Sequence, residues 1–167
     1  PALAFVASTQ AGSYGSLTLN AAGAWTYTLG TAAQVLAGGQ MVTEPFTVNL
    51  NDGSTTTVII TVTGTDDAPV ISSGTGAVTE DTSPTATGTL SATDVDNPAL
   101  AFVASTQSGA YGSLTLDAVG AWSYALGATA QALAAGQVVT ESFTVNLNDG
   151  STTTVTITVT GTDDAPV

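Results

Sequence analysis

Thirteen side chains of this 167-residue chain are carboxylates, and not one lysine, arginine or histidine accompanies them. Many come in pairs. Glu80 and Asp81 are adjacent, Asp94 and Asp96 form an Asp-x-Asp, and Asp66-Asp67 and Asp163-Asp164 lie in the two copies of Thr-Gly-Thr-Asp-Asp-Ala-Pro-Val. Two unit charges about 4 Å apart repel by roughly 1 kcal/mol in water, and by more where solvent is partly excluded. Several such pairs gathered at strand ends destabilise a fold unless a cation joins them. A divalent ion reverses the sign, and calcium suits this chemistry because it takes about 6–8 hard oxygen ligands from carboxylates, amide oxygens and backbone carbonyls. Zinc is a poor match without histidine or cysteine.

The same composition excludes other chemistries. Without His, Cys or Lys the nucleophile–base pairs of hydrolases cannot form. A glycosidase-type carboxylate pair is conceivable, but the acidic positions cluster at linker-like termini and not in a cleft, so no enzyme is expected. A net charge of −13 with no basic patch argues against nucleic acid as a partner. No apolar run reaches the length of a membrane span, so membrane insertion is not expected. The chain is no acidic disordered tail either: 43% of its residues are apolar, and they fall in ordered alternation.

The elements that must position these carboxylates repeat. Residues 1–70 and 98–167 align without a gap at an offset of 97 and differ at 13 of 70 positions. A unit of that length can bury its own core, unlike a short solenoid repeat. The natural boundary is the Asp-Asp-Ala-Pro segment, where proline breaks pairing. Residues 1–66 then form a domain without its first strands, and 67–167 a complete one, as expected of a window on a longer array. In Ser151–Gly161, Val155, Ile157 and Val159 alternate with threonines; Phe143, Val145 and Leu147 share one face of the preceding segment, and Asn148-Asp149-Gly150 between them reads as a hairpin turn. Residues 70–79 read as a split first strand, Leu90 and Ala92 as inward-facing, and Gly136 as the end of a helical turn. About seven short strands in roughly 100 residues predict an all-β, Ig-like two-sheet sandwich in tandem copies.

Ala-Thr-Asp-Val-Asp-Asn at 92–97, the Asn-Asp-Gly turn before the last strand, and the acidic linker ending in Ala-Pro-Val resemble the cadherin repeat. Val78–Asn97, Tyr111–Leu126 and Gly161–Val167 are similar to the bacterial VCBS repeat, a cadherin-like domain found in tandem in large secreted adhesins. The resemblance implies calcium at domain junctions. Asp66 and Asp67 would face Asp94 and Asp96 with Asp149 as a further ligand, and Glu80 would serve with Asp163 and Asp164 towards the next repeat. Cadherins carry an Asp-Arg-Glu segment where this chain has Leu133–Gly136, which favours a single ion per junction. The implied function is a calcium-stiffened spacer of an extracellular bacterial surface protein, supporting adhesion or biofilm formation, with neighbouring repeats of the same protein as partners.

Simpler roles stand beside these. The Asp66-Asp67 pair could be a solubilising turn, and Asp149 is first a turn residue. Asp117 and Glu141 are expected to face solvent, and Trp25 and Trp122 to pack in the cores. Threonine rows suit the solvated faces of strands. With no lysine to guard sheet edges, negative charge, Pro69 and Pro166, or a neighbouring chain must do so. Two other functions remain open: a filament segment assembled with identical chains by strand complementation, and a carbohydrate-binding module, which would need an exposed Trp122.

Overall fold

The structure is a computed structural model and describes residues 2–164. It divides into two compact units. Unit 1 runs to Ala68 and takes in Val95–Asn97; unit 2 comprises Pro69–Asp94 and the chain from Pro98 onward.

Unit 1 contains β1 (Ser8–Ala11), β2 (Gly15–Leu19), β3 (Trp25–Leu29), β4 (Met41–Asn49) and β5 (Thr55–Thr63). The first three form an antiparallel sheet in the order β1-β2-β3, and β4 pairs with β5. Period-two alternation builds the core: Leu17 and Leu19 from one sheet meet Phe46 and Val48 from the other.

Unit 2 contains β6 (Val70–Ile71), β7 (Gly74–Thr79), β8 (Thr85–Thr89), β9 (Ala92–Thr93), β10 (Ser105–Ser108), β11 (Gly112–Leu116), β12 (Ala121–Leu126), β13 (Val138–Asn146) and β14 (Thr152–Thr160). Four strands form one sheet in the order β10-β11-β12-β8, three form a second in the order β13-β14-β7, and β6 pairs with β9. The two main sheets hold the seven strands expected of the sandwich. Strand β7 runs parallel to β14, with Val155 opposite Gly74 and Ile157 opposite Gly76. Strand β8 runs antiparallel to β12, with Trp122 opposite Gly88.

Val155, Ile157 and Val159 are fully buried, and Phe143, Val145 and Leu147 join them, as their alternation requires. Each such side chain contributes roughly 1.5–3 kcal/mol by leaving water. The 147–151 turn closes through Gly150, whose φ of +92° is cheap only for glycine. A 3-10 helix at Ala128–Ala132 leads to Gly136, in the left-handed region at φ +74°. Pro69 leads into β6, whereas Pro166 lies outside the described residues.

The two tryptophans separate. Trp122 is buried, in a seat made by β7 and β8. A Cβ at Gly88 would lie 2.6 Å from its Cε2, one at Gly76 2.9 Å from its Cη2, and one at Gly74 3.2 Å from its Nε1. Trp25, expected in a core, is instead 49% exposed. Among the described residues of unit 1 no strand stands in the places of β7 and β8, so β3 and β5 each pair with one neighbour.

Candidate functional site

Glu80 follows the last residue of β7. Its N–H donates to Thr160 O at 3.0 Å, which continues the parallel pairing with β14 by one residue. That placement turns the side chain inward at the end of the sheet, where it is 1% exposed. Its Oε2 accepts the N–H of Thr162 at 3.0 Å, while Oε1 is buried with no hydrogen-bond partner. Asp81 adopts φ +58°, an uncommon conformation for a residue with a Cβ. Its Oδ2 accepts the Thr162 hydroxyl at 2.7 Å. Two adjacent carboxylates thus grip Thr162, immediately before the exposed Asp163 and Asp164. Asp81 and Thr162 were absent from the expected site. The signal available for Asp81 was its adjacency to Glu80 just before the Thr82-Ser83-Pro84 break.

A buried carboxylate oxygen without a donor costs free energy, and a nearby carboxylate raises the cost. No basic side chain exists to relieve it. A hard cation is the group whose chemistry would relieve it, and Glu80, Asp81, Asp163 and Asp164 are the carboxylates that could supply oxygen donors. Among the described residues, no three acidic side chains already stand close enough together to hold a metal.

In unit 1 the N–H of Asp67 donates to Oδ2 of the buried Asp96 at 3.1 Å. Asp66 is exposed and lines a cleft of about 400 Å³ with Ala37, Gly38, Asp96 and Asn97. Asp94 belongs to unit 2 and is half-buried just after β9. Asp149 is exposed in the β13–β14 turn. Its Oδ1 accepts the N–H of Ser151 at 2.9 Å and the hydroxyl at 2.6 Å, and these two bonds hold the carboxyl below the usual aspartate range. The aspartate closes its own turn.

Glu141 overturns the expectation of a solvent-facing side chain. It is 8% exposed, and its carboxylate accepts the N–H of Tyr111 at 2.9 Å and the hydroxyl of Tyr124. Unit 1 repeats the arrangement with Glu44, which accepts the N–H groups of Ser13 and Tyr14 and the hydroxyl of Tyr27. Gly109 and Gly12 admit the carboxylates, because a Cβ at either position would collide with the glutamate Oε1. The glutamate thus holds the β-hairpin between the first two strands of the other sheet, β1–β2 in unit 1 and β10–β11 in unit 2. Asp117 is exposed, as expected, and its Oδ1 caps a turn by accepting from Val119 and Ala121. Asn20 does the same in unit 1 through its own Oδ1, so the Asn-to-Asp difference between the copies leaves the turn intact.

Burial pushes the Glu44 carboxyl up, but the hydrogen bonds from Tyr27, Tyr14 and Ser13 outweigh it and hold the group below its usual value of 4.5. Burial, the bond to Glu44 and the carboxylate's charge together push the Tyr27 hydroxyl up to about 12. Burial and Glu141 raise Tyr124 in the same way. A depressed folded pKa stabilises above the unfolded value and is lost as pH falls through the folded one; a raised pKa of a neutral acid is lost as pH rises from the unfolded to the folded value. Unit 1 is therefore expected to keep constant stability across neutral pH, weaken below about 4.5 and weaken again between about 10 and 12. Urea midpoints followed by Trp25 emission across pH check this, and Tyr27→Phe should remove the alkaline limb.

The buried Trp122 presents no face for a sugar to stack on, which removes the observation that the carbohydrate-binding reading required. No helix among the described residues is long and apolar enough to cross a membrane.

A sequence model of the bacterial cadherin-like domain matches residues 1–64 and 66–161. Among solved structures, a crystal structure of the EC1-3 segment of Drosophila N-cadherin is similar at 15% identity with a TM-score of 0.39. That alignment covers 97% of this chain and 55% of the other, so the chain spans about half the length of that relative. The curated proteins contain no match.

Proposed function

We propose, on the premise that this chain belongs to the bacterial cadherin-like domain family, that it is a calcium-stiffened spacer of an extracellular bacterial surface protein. The family is a non-catalytic fold of extracellular adhesion-type modules whose members generally bind calcium. Placement in an adhesin of VCBS type, and a role in attachment or biofilm formation, are part of the proposal.

The observation that carries it is the Glu80 carboxylate: buried beside Asp81, with one oxygen lacking a partner and the other on Thr162 just before Asp163-Asp164, in a chain without a positive side chain. Calcium bound there supplies the missing positive charge and ties the carboxylates to one another. Glu80 would act as the fixed ligand, since its backbone is pinned to β14 and its other oxygen to Thr162. Asp81 orients Thr162, which sets the direction in which Asp163 and Asp164 leave the sheet. The exposure of those two aspartates leaves their oxygens open to an ion. Asp66, Asp67 and Asp96 offer oxygens of the same kind in unit 1, and Asp94 and Asp149 are proposed, each within unit 2, as further oxygen donors to calcium. A linker whose acidic residues are coordinated has fewer conformations than one whose charges repel, and a spacer gains stiffness from that difference.

Calorimetric melting of the whole chain in calcium and in chelator tests the reading. At a calcium concentration of about 100 times Kd the folded state gains roughly 2.7 kcal/mol, so the melting temperature is expected to rise. Glu80→Gln should remove most of that increment. Equal melting in calcium and chelator would overturn the calcium mechanism.

A further inference from the structure

Of the thirteen carboxylates, only Asp52 and Asp149 are followed by glycine. Asp-Gly is the dipeptide most open to attack by its own backbone, because no Cβ shields the glycine nitrogen. The Gly53 nitrogen forms a bond to Asp52 Cγ and gives up its proton, and the protonated carboxyl loses its hydroxyl as water, which closes a succinimide. Water then adds to the ring. Opening at the former backbone carbonyl leaves the main chain running through Cγ, an isoaspartate with one extra methylene in the backbone. The reaction needs no metal and no co-reactant besides water. Packing does not shield the pair: Asp52 is exposed, and nothing lies within 4 Å of the place a Gly53 Cβ would take.

We propose that Asp52-Gly53 is a latent isoaspartate site that the Ser54 side chain keeps closed. Asp52 Oδ1 accepts the Ser54 hydroxyl at 2.6 Å and the Ser54 N–H at 2.9 Å, which anchors the carboxylate to the residue beyond the glycine. The attacking nitrogen is occupied as well, since the Gly53 N–H donates to Leu50 O at 3.1 Å. The Ser54 hydroxyl, and then its N–H, hold the Asp52 carboxyl below the usual aspartate range, so little of it carries the proton that lets water leave. Unit 2 repeats the geometry, with Ser151 on Asp149 Oδ1 and the Gly150 N–H on Leu147 O. What the serine protects is the β4–β5 hairpin. Asn49 pairs with Thr55 at the mouth of the turn, and Asn51 within it bonds to Ala2 and Ala4. Turn length sets hairpin register, so an inserted methylene disturbs both.

The test ages the 167-residue chain at mildly acidic pH. Samples taken at intervals are unfolded and digested with an endoproteinase that cuts before aspartate but not before isoaspartate. Mass spectrometry then reads the uncut bond at Asp52 beside the one at Asp149, which serves as the internal reference. The parent should convert more slowly folded than in urea. Ser54→Ala should speed conversion at Asp52 about 5-fold, the worth of one lost hydrogen bond, and leave Asp149 at the parental rate. Ser54→Thr keeps the hydroxyl and should stay slow. Equal rates at Asp52 in the parent and Ser54→Ala chains would overturn the proposal, as would a parent that converts as fast folded as in urea. A Ser54→Thr chain as fast as Ser54→Ala would overturn the role of the hydroxyl. Acceleration matched by a fall in the urea midpoint of unit 1 would also overturn it, since that is unfolding and not the loss of a protecting bond.

Discussion

Glu141→Ala is expected to destabilise unit 2 by roughly 3 kcal/mol, the largest effect of any single carboxylate in the chain. The carboxylate accepts two donors that are otherwise shielded from water, the Tyr111 N–H and the Tyr124 hydroxyl. Removing it leaves both without partners and opens a cavity beside Phe143, whose ring lies 5.8 Å from that of Tyr124. Tyr124→Phe keeps the shape and deletes one donor, so about 1–2 kcal/mol is expected. The pair should couple: Glu141→Gln and Tyr124→Phe together ought to cost less than the sum of the single changes. Urea unfolding in a Trp25→Phe background isolates Trp122 as the reporter for unit 2. A Glu141→Ala chain within about 0.5 kcal/mol of its parent would show that the glutamate is not part of the core.

The second large effect belongs to Gly88→Val. Here the argument is volume and not charge. The β8 backbone passes so close to Trp122 that a Cβ would lie 2.6 Å from Cε2, and the ring is confined on its other sides by Gly74 and Gly76. Well-packed interiors yield little, and forcing methyl groups into them costs about 1–3 kcal/mol, occasionally more. About 3 kcal/mol is expected, together with a red shift of Trp122 emission as the indole is displaced. Trp122→Leu should recover part of the loss in the double variant, since it vacates the space that the valine needs. Failure of that rescue would place the cost in the β8 backbone and not in the tryptophan.

Both predictions turn on how far a residue's surroundings can be read from its neighbours in sequence. The strands of unit 2, their inward residues Val155, Ile157, Val159, Phe143, Val145 and Leu147, and the turn at 148–150 were all legible, because alternation and turn chemistry are local properties. The same parity places Glu141 on the inward face of β13 with Phe143 and Val145. It was read as solvent-facing because a carboxylate is stable inside only with donors. Those donors come from Tyr111 and Tyr124, which lie 30 and 17 residues away in the chain. Glu80 was legible as a candidate ligand through its resemblance to cadherin repeats. Its unpartnered oxygen, and the clasp of Asp81 on Thr162, required a segment 81 residues away in the chain to be folded back.

The tryptophans make the division plain. Trp25 and Trp122 sit in nearly identical segments, Ala-Gly-Ala-Trp-Thr-Tyr and Val-Gly-Ala-Trp-Ser-Tyr. Local pattern assigned both to the inward face of a strand and was right about the strand and the face. It could not say what lies across from that face. Burial is a sum over contacts made by distant segments, and for Trp122 those segments are β7 and β8, with glycines at three positions to make room. Amino-acid order alone established the repeat, the strands, the turns and a chain of carboxylates without a counter-ion. Tertiary folding chose which carboxylates are enclosed by donors, which is left with an oxygen to share, and how the Trp122 indole is enclosed.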